Sequence, residues 1–429
     1  MQQPAANWQD SVEYAEHTDV GLRRANNQDS LASMLAGSEG EFARRGHLFL
    51  VADGMGRHAA GELASKISAD TVPLEYFKQP QATPPLALKM ALEEGNRRIF
   101  ARGKENPDFA GMGTTTSVMV ILPQGAMVGH VGDSRVYRLR KNRIEQLSFD
   151  HSLVWELQAA AKASGQTPPS NIAKNLITRS LGHDVNVKVD LEGPFPLETG
   201  DTFLLCSDGL TGQVEDDEIG AILSCMTPAE AVHALVDMAN LRGGPDNITV
   251  IVAKIRDAAR LQSVSPAASS SGGGLSRVPI ITWVGVGASM LLSVFAFAAG
   301  QPQLGTIAAG LSVVALAVAL VQGLLFGGAK RWKPRRLGAG PHVANDLKLD
   351  DGAANRFAEI VVKLRESATQ LNWTVDWAQV DKICAIGDHF RKSGDFAGTI
   401  RQSCRAVTFL MSELRKQRRD ANREPVLDD

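Results

Sequence analysis

Apolar positions recur with two different periods between about residues 10 and 257. Short runs such as "HLFLVAD", "TTTSVMVIL", "AMVGHVGD", "DTFLLCSD" and "NITVIVAKI" are continuous or alternate every second residue, which predicts strands. The "PQG" stretch (Pro123 to Gly125) reads as the turn of a hairpin joining two of them. Between the strands, "AAGELASKISADTV" and "PPLALKMALEEGNRRIFARG" place apolar residues at i, i+3 and i+4. "TPAEAVHALVDMANL" does the same behind a Thr-Pro start, and all three predict amphipathic helices. Strands and helices do not alternate strictly. The pattern therefore predicts an α+β sandwich of antiparallel sheets flanked by helices, and argues against a doubly wound parallel sheet.

The pattern changes at Ala258. Residues 258–277 contain "LQSVSPAASSSGGGLSR", a Ser/Gly-rich linker that cannot bury a core. Two uncharged apolar stretches follow, Val278 to Ala299 and Leu304 to Phe326, divided by "GQPQ". Each has at least about 20 residues, enough at ~1.5 Å per residue to cross ~30 Å of hydrocarbon. Trp283 stands near one end, where an indole suits a membrane interface. Residues 278–326 are thus expected to form a two-span transmembrane hairpin. A buried hairpin inside a protein core is the competing reading, but a charge-free pair leaves no side for solvent. Arg277 precedes the first stretch and "KRWKPRR" (Lys330 to Arg336) follows the second, inside a basic segment at 327–345. By the positive-inside rule both flanks are expected in the cytoplasm, giving a multi-pass protein of the inner membrane. The same cations can touch anionic lipid, worth about 1 kcal/mol each near the surface. Residues 346–429 carry three amphipathic stripes, in "ANRFAEIVVKLRESATQL", "DWAQVDKICAIGDHFRKSG" and "DFAGTIRQSCRAVTFLMSELRKQRR". They predict a helical tail, either a small bundle or partner-binding module or a packed cap on the membrane hairpin.

Composition narrows the function. Lys+Arg number 45 against 47 Asp+Glu, so there is no basic excess for nucleic acid. Cys206, Cys225, Cys384 and Cys404 are scattered without zinc spacing, which suits a reducing compartment. No cysteine is followed six residues later by arginine, and no GxxxxGK[ST] loop occurs. The polar, acidic N-terminus lacks a secretory layout.

Five aspartates share one setting, at or beside a predicted strand end and near small or turn-forming residues. They are Asp29 in "GLRRANNQDS", Asp53 in "LFLVADGMGRHAAGELAS", Asp133 in "VGHVGDSRVY", Asp208 in "LLCSDGL" and Asp246 in "GGPDNITV". Any one alone is explained as a helix cap or turn acid. Five carboxylates gathered at one edge repel unless a cation neutralises them. Hard oxygen ligands without a Cys or His cluster favour Mg²⁺ or Mn²⁺ over zinc. A pair of such ions can lower the pKa of a shared water and present it to phosphorus. Arg24, on the same segment as Asp29, offers a guanidinium fork for phosphate oxygens. His58, five residues after Asp53, is a candidate proton donor to the leaving alkoxide. The "DGMGR" stretch is not a dinucleotide loop, since Ala59 stands where the third glycine belongs.

The ordered blocks "TDVGLRRANNQDS", "LFLVADGMGRHAAGELAS", "GMGTTTSV", "HVGDSRVYRLR", "SFDHSLV", "LITRSLG", "LLCSDGL" and "GGPDNITVIV" resemble the metal-dependent protein phosphatases of the PPM, or PP2C, type, especially its bacterial branch. The resemblance covers residues 10–257. It implies a β-sandwich flanked by helices and a binuclear Mn²⁺ or Mg²⁺ hydrolase acting on phosphoserine and phosphothreonine in proteins. It further implies that Asp53 bridges both ions, that the Gly54 carbonyl binds one, and that Asp208 and Asp246 bind the other. By the same resemblance Asp29 is expected to act through metal-bound water, Arg24 to receive the phosphate, and Asp133, with Asp208, to help hold a weaker third ion. His58 matches a histidine of the bacterial branch. The stretch from Trp155 to Ser180 matches a flap over the site. Arg57 replaces a usual glycine and Gln28 fills a position often acidic, but no metal ligand is missing.

The expectation is a membrane-tethered phosphoprotein phosphatase, serving phosphoproteins such as a Ser/Thr kinase or its targets, with a tail that regulates or recruits. The alternatives are a membrane-anchored phosphoprotein-binding sensor or scaffold with little turnover, and a two-metal esterase acting on small phosphates.

Overall fold

The computed structural model describes residues 8–57, 59–79, 81–165, 176–264, 280–326 and 335–421. Its strands are β1 (Val12–Asp19), β2 (Asp29–Met34), β3 (His47–Met55), β4 (Gly113–Thr114), β5 (Thr116–Leu122), β6 (Gly125–Val131), β7 (Arg135–Arg140), β8 (Arg143–Gln146), β9 (Asp190–Phe195), β10 (Thr202–Cys206), β11 (Ile248–Ile255) and β12 (Val343–Asp346). They pair antiparallel into two sheets, β1-β11-β10-β7-β8-β12 and β2-β3-β5-β6-β9, with the short β4 beside β3. This is the α+β sandwich that the hydrophobic pattern predicts. The expected hairpin forms through Pro123 and Gln124, with Leu122 facing Gly125 across the turn.

Successive side chains along a strand point to opposite faces, and here both faces are covered. On β3, Phe49 and Val51 enter the core between the sheets with Met119, Val128, Phe203 and Ile251. Leu48, Leu50 and Ala52 face the other way, under the Ala60–Phe77 and Pro84–Glu105 helices with Ala64, Leu88 and Leu92. The second sheet divides likewise: Leu205 and Ala253 turn inward, while Leu204 and Val252 turn outward. That outer face packs on the Asp216–Cys225 and Pro228–Leu241 helices. The latter begins at the predicted Thr-Pro, where Thr227 and Glu230 close a capping box. Continuous apolar runs are what a strand buried on both faces requires.

Beyond β11, Ala258–Ser263 form a short helix capped by Asp257, with Leu261 buried in the core between the sheets. The rest of the Ser/Gly-rich stretch lies outside the described residues.

The membrane hairpin is corrected. Residues Ile280–Ala298 and Pro302–Phe326 are helical and pair with each other. Yet among the described residues no helix is long and apolar enough to cross a membrane. Serines also face the partner helix, Ser293 donating to the Gly305 carbonyl and Ser312 to Ser289. The expected inner-membrane location, lipid contact and two-span topology fall with that finding. Most of the "KRWKPRR" cluster lies outside the described residues.

The tail is no separate module. β12 adds to the edge of the first sheet beside β8. Leu337 bridges to Gly193, and His342 Nε2 lies 3.0 Å from Glu192 Oε1. Helices Asp351–Gln370, Trp377–Lys392 and Phe396–Ala421 form a bundle. The last packs on both Asp216–Cys225 and Pro228–Leu241, so Ile400, Cys404, Val407 and Leu410 share one continuous core with Leu235, Met238 and Val250. An apolar stripe read as available for a partner is covered by the chain's own sandwich. Leu410, fully buried there, gives a test. Leu410→Ala should cost about 2–5 kcal/mol in urea unfolding and shift the sandwich and tail signals together. A separate, earlier tail transition would contradict the shared core.

Candidate active site

Antiparallel pairing places the end of one strand beside the start of the next, and the register does this for all five aspartates. Asp29 faces Asp53 directly across β2 and β3. In the other sheet Cys206 pairs with both Val250 and Arg135. That sets Asp208, two residues past β10, beside Asp246, two residues before β11, and Asp133, two residues before β7. Val131, just before that turn, pairs with Thr116. One end of the sandwich therefore carries the whole set.

Local chemistry fixes each loop. A side chain at Gly54 would put its Cβ 2.1 Å from the Gly61 carbonyl oxygen and 2.5 Å from that of Gln28. Glycine alone lets β2, the end of β3 and the Ala60–Phe77 helix meet there. The Asp53 main chain is held by Thr115, whose Oγ1 accepts from Asp53 N at 3.0 Å, and by Thr114 Oγ1, which donates to Asp53 O at 2.8 Å. Asn247 ties three segments: its Oδ1 accepts from Gln28 N at 2.8 Å, and its Nδ2 donates to Val20 O and Asn26 O at 2.9 and 3.0 Å. Ser207 Oγ donates to Asp29 Oδ2 at 2.8 Å.

At the mouth, Arg24 Nη2 lies 2.7 Å from Asp246 Oδ2, with 49% and 34% of the two side chains exposed. Behind it the acids crowd. Asp53 is pushed well above the ordinary carboxylate range by burial, then by the charges of Asp29, Asp208, Asp133 and Asp246. Asp29 is pushed up to about 7, by burial first and by Asp208 and Asp246, against the Ser207 and Thr249 hydroxyls. Asp133 also rises to about 7, through burial, Asp208 and Asp150. Asp208 is raised by burial and by Asp246, while a hydrogen bond with Asp53 opposes the rise.

Among the described residues, no three His, Cys, Asp or Glu side chains form a ready-made metal cage. Two of the carboxylates are turned to other partners, Asp246 to Arg24 and Asp29 to Ser207. The donor set nevertheless fits a hard divalent ion. Asp29 Oδ1, Asp133 Oδ1 and Asp208 Oδ1 are buried without any hydrogen-bond partner, and orphaned anionic oxygens are what a cation satisfies.

Of the residues singled out in the sequence, Arg24, Asp29, Asp53, Gly54, Asp133, Asp208 and Asp246 lie at this end of the sandwich. His58 and residues 166–175 of the expected flap lie outside the described residues. Sequence reasoning assigned no role to Ser207, Asn247, Thr114 or Thr115. It also missed His151, whose Nδ1 accepts from Gly132 N at 2.9 Å and whose Nε2 lies 2.9 Å from Asp190 Oδ2. Arg179 Nη1, 2.8 Å from Asp190 Oδ1, closes this clasp between the flap's base and the turn carrying Asp133. Several of these residues stand inside the quoted motif blocks, where a hydroxyl or amide beside an acid was the available signal.

A family model described as protein phosphatase 2C matches residues 22–240. The chain belongs to the protein phosphatase 2C family. Serine/threonine protein phosphatase PstP of Mycobacterium tuberculosis is 36% identical over 247 residues, 57% of this chain and 45% of that protein. The chain thus spans about half the length of that relative. A solved serine/threonine phosphatase of S. agalactiae is 33% identical with a TM-score of 0.50, covering 57% of this chain and 100% of that one. A catalytic domain of PstP, solved in complex with two manganese ions, is 36% identical with a TM-score of 0.48, covering 57% and 99%. The protein phosphatase 2C match begins inside the loop that carries Arg24 and ends before Asp246.

The crowded acids predict a specific pH response. Asp29 has a folded pKa of about 7 against 3.8 unperturbed, so between those values the folded protein holds more protons than the unfolded chain. Stability from this group is present below the lower value and lost as pH rises towards the upper. In EDTA, Asp29→Asn should therefore melt above the unmodified protein, by a margin that grows from pH 5 to pH 7. Saturating Mn²⁺ should reverse the order. A margin that is flat or shrinks with pH would exclude the electrostatic account.

Proposed function

We propose that this chain hydrolyses phosphoserine and phosphothreonine in proteins, with Mn²⁺ or Mg²⁺ held by the acid set. The observation that carries the reading is the convergence of five carboxylates at one end of the sandwich, three with orphaned buried oxygens, beside a partly exposed arginine. Residues 10–257 make up the catalytic domain. Asp53, the Gly54 carbonyl, Asp208 and Asp246 would hold two ions, Asp29 would support them from behind, and Asp133 with Asp208 would offer a weaker third position. Bound ions of this kind supply an acidified water nucleophile and neutralise developing charge.

The chain's own groups do the rest. Arg24 sits at the cleft mouth on an exposed side chain, so a phosphate dianion can take its guanidinium fork from Asp246. His58 is the candidate donor to the departing alkoxide. The clasp of His151, Arg179 and Asp190 steadies the turn bearing Asp133. The half-exposed Arg24 side chain suits a phosphorylated side chain on a protein surface, including that of a kinase or its target.

Because the tail shares the core, the test uses the full chain. Turnover of an aryl phosphate and a phosphothreonine peptide is measured with Mn²⁺ and then with chelator. Asp53→Asn and Asp208→Asn should each lower the rate roughly 100-fold or more with the fold retained. A near-normal rate in either removes the metal assignment. Phosphopeptide binding without metal-dependent turnover would point to a scaffold, and equal rates on nucleotides and phosphopeptides to a small-phosphate esterase.

A further inference from the structure

The Phe396–Ala421 helix of the tail meets the Pro228–Leu241 helix through two arginines. Arg405 pairs with Glu230 near the start of the latter at 2.6 Å, both side chains partly exposed. Arg415 pairs with Asp237 about two turns further on, where the carboxylate is only 1% exposed. Thr408 of the same tail helix stands beside it. A carboxylate removed from water needs a cation against it, so docking of the tail and burial of Asp237 are one event.

One turn beyond Asp237, the same helix ends in groups that hold both loops of the site. Asn240 Nδ2 donates to Asp19 Oδ1 at 3.1 Å, and that oxygen also accepts from Gly21 N at 2.8 Å. The Gly244 carbonyl accepts from Leu22 N at 2.8 Å and Arg23 N at 3.3 Å. Arg242 grips Glu218 with two bonds of 2.6 Å. A Cβ at Gly21 would come within 2.2 Å of the Asp246 carbonyl oxygen. The loops bearing Arg24 and Asp246 are thus fastened to each other and to the final turn of this helix.

We propose that Arg415 is a positioning residue for the acid set. Through Asp237 it fixes the Pro228–Leu241 helix on the sheet, and the last turn of that helix sets the Arg24 and Asp246 loops. The inference rests on the metal-site reading above. It makes the tail, which lies outside the region matched by the family model, a working part of the cation site.

The test compares Arg415→Met with Arg405→Met in the full chain. Both remove a charge from the same helix while keeping an aliphatic stem, but only Arg415 pairs with the carboxylate one turn before the helix end that holds the site loops. Two readouts are taken: the Mn²⁺ concentration that half-raises the melting temperature, and the Mn²⁺ concentration that half-activates aryl phosphate hydrolysis. Arg415→Met should need about 3- to 30-fold more Mn²⁺ in both, with Arg405→Met unchanged and Arg415→Lys intermediate. Equal shifts in the two methionine variants, or none in Arg415→Met, overturn the proposal. If Arg415→Met folds poorly, the double variant with Asp237→Asn decides. That variant removes the stranded charge and should keep a weakened Mn²⁺ response, whereas a normal response overturns the proposal. A Mn²⁺-insensitive melting temperature in the unmodified chain would fail the metal reading itself, a separate outcome.

Discussion

Like charges held in a partly desolvated cleft are the constraint around which this molecule is built. Carboxylates this close raise one another's pKa and cost stability unless protons, hydroxyls, a guanidinium or cations compensate. Among the described residues the compensations are the Ser207 hydroxyl on Asp29 and Arg24 on Asp246. They are incomplete, since three acid oxygens stay orphaned. A divalent ion of the kind proposed would relieve that shortfall, since a cation satisfies orphaned anionic oxygens.

A site under this tension needs a stiff frame. Two sheets buried on both faces supply it, because a strand packed from above and below cannot shift without opening a core. Glycines at 54, 61 and 21 let backbones approach too closely for any side chain to enter. Asn247 and the two threonines then lock the loop main chains. The tail extends the frame by closing the outer face of the Pro228–Leu241 helix.

The apolar 278–326 region shows where a one-dimensional pattern overreaches. Length and absence of charge predicted two membrane crossings, yet among the described residues no helix meets that requirement. The tail shows a milder version. Its three amphipathic stripes predicted helices correctly, but which surface the stripe of Phe396–Ala421 covers is a long-range matter.

What the amino-acid sequence determined by itself was local. Strand and helix identity followed from period, because side-chain direction repeats every two residues in one and every 3.6 in the other. The acids at 29, 53, 133, 208 and 246 were legible as a set because each stands beside a strand end and small or turn-forming residues. Only the tertiary structure decided that Asp29 faces Asp53, that Ser207 and Asn247 hold their loops, and that Arg415 reaches Asp237 across 178 positions of chain. Those facts depend on register and on the meeting of distant surfaces. Both are settled by the packing of the whole core, where any window of sequence is blind.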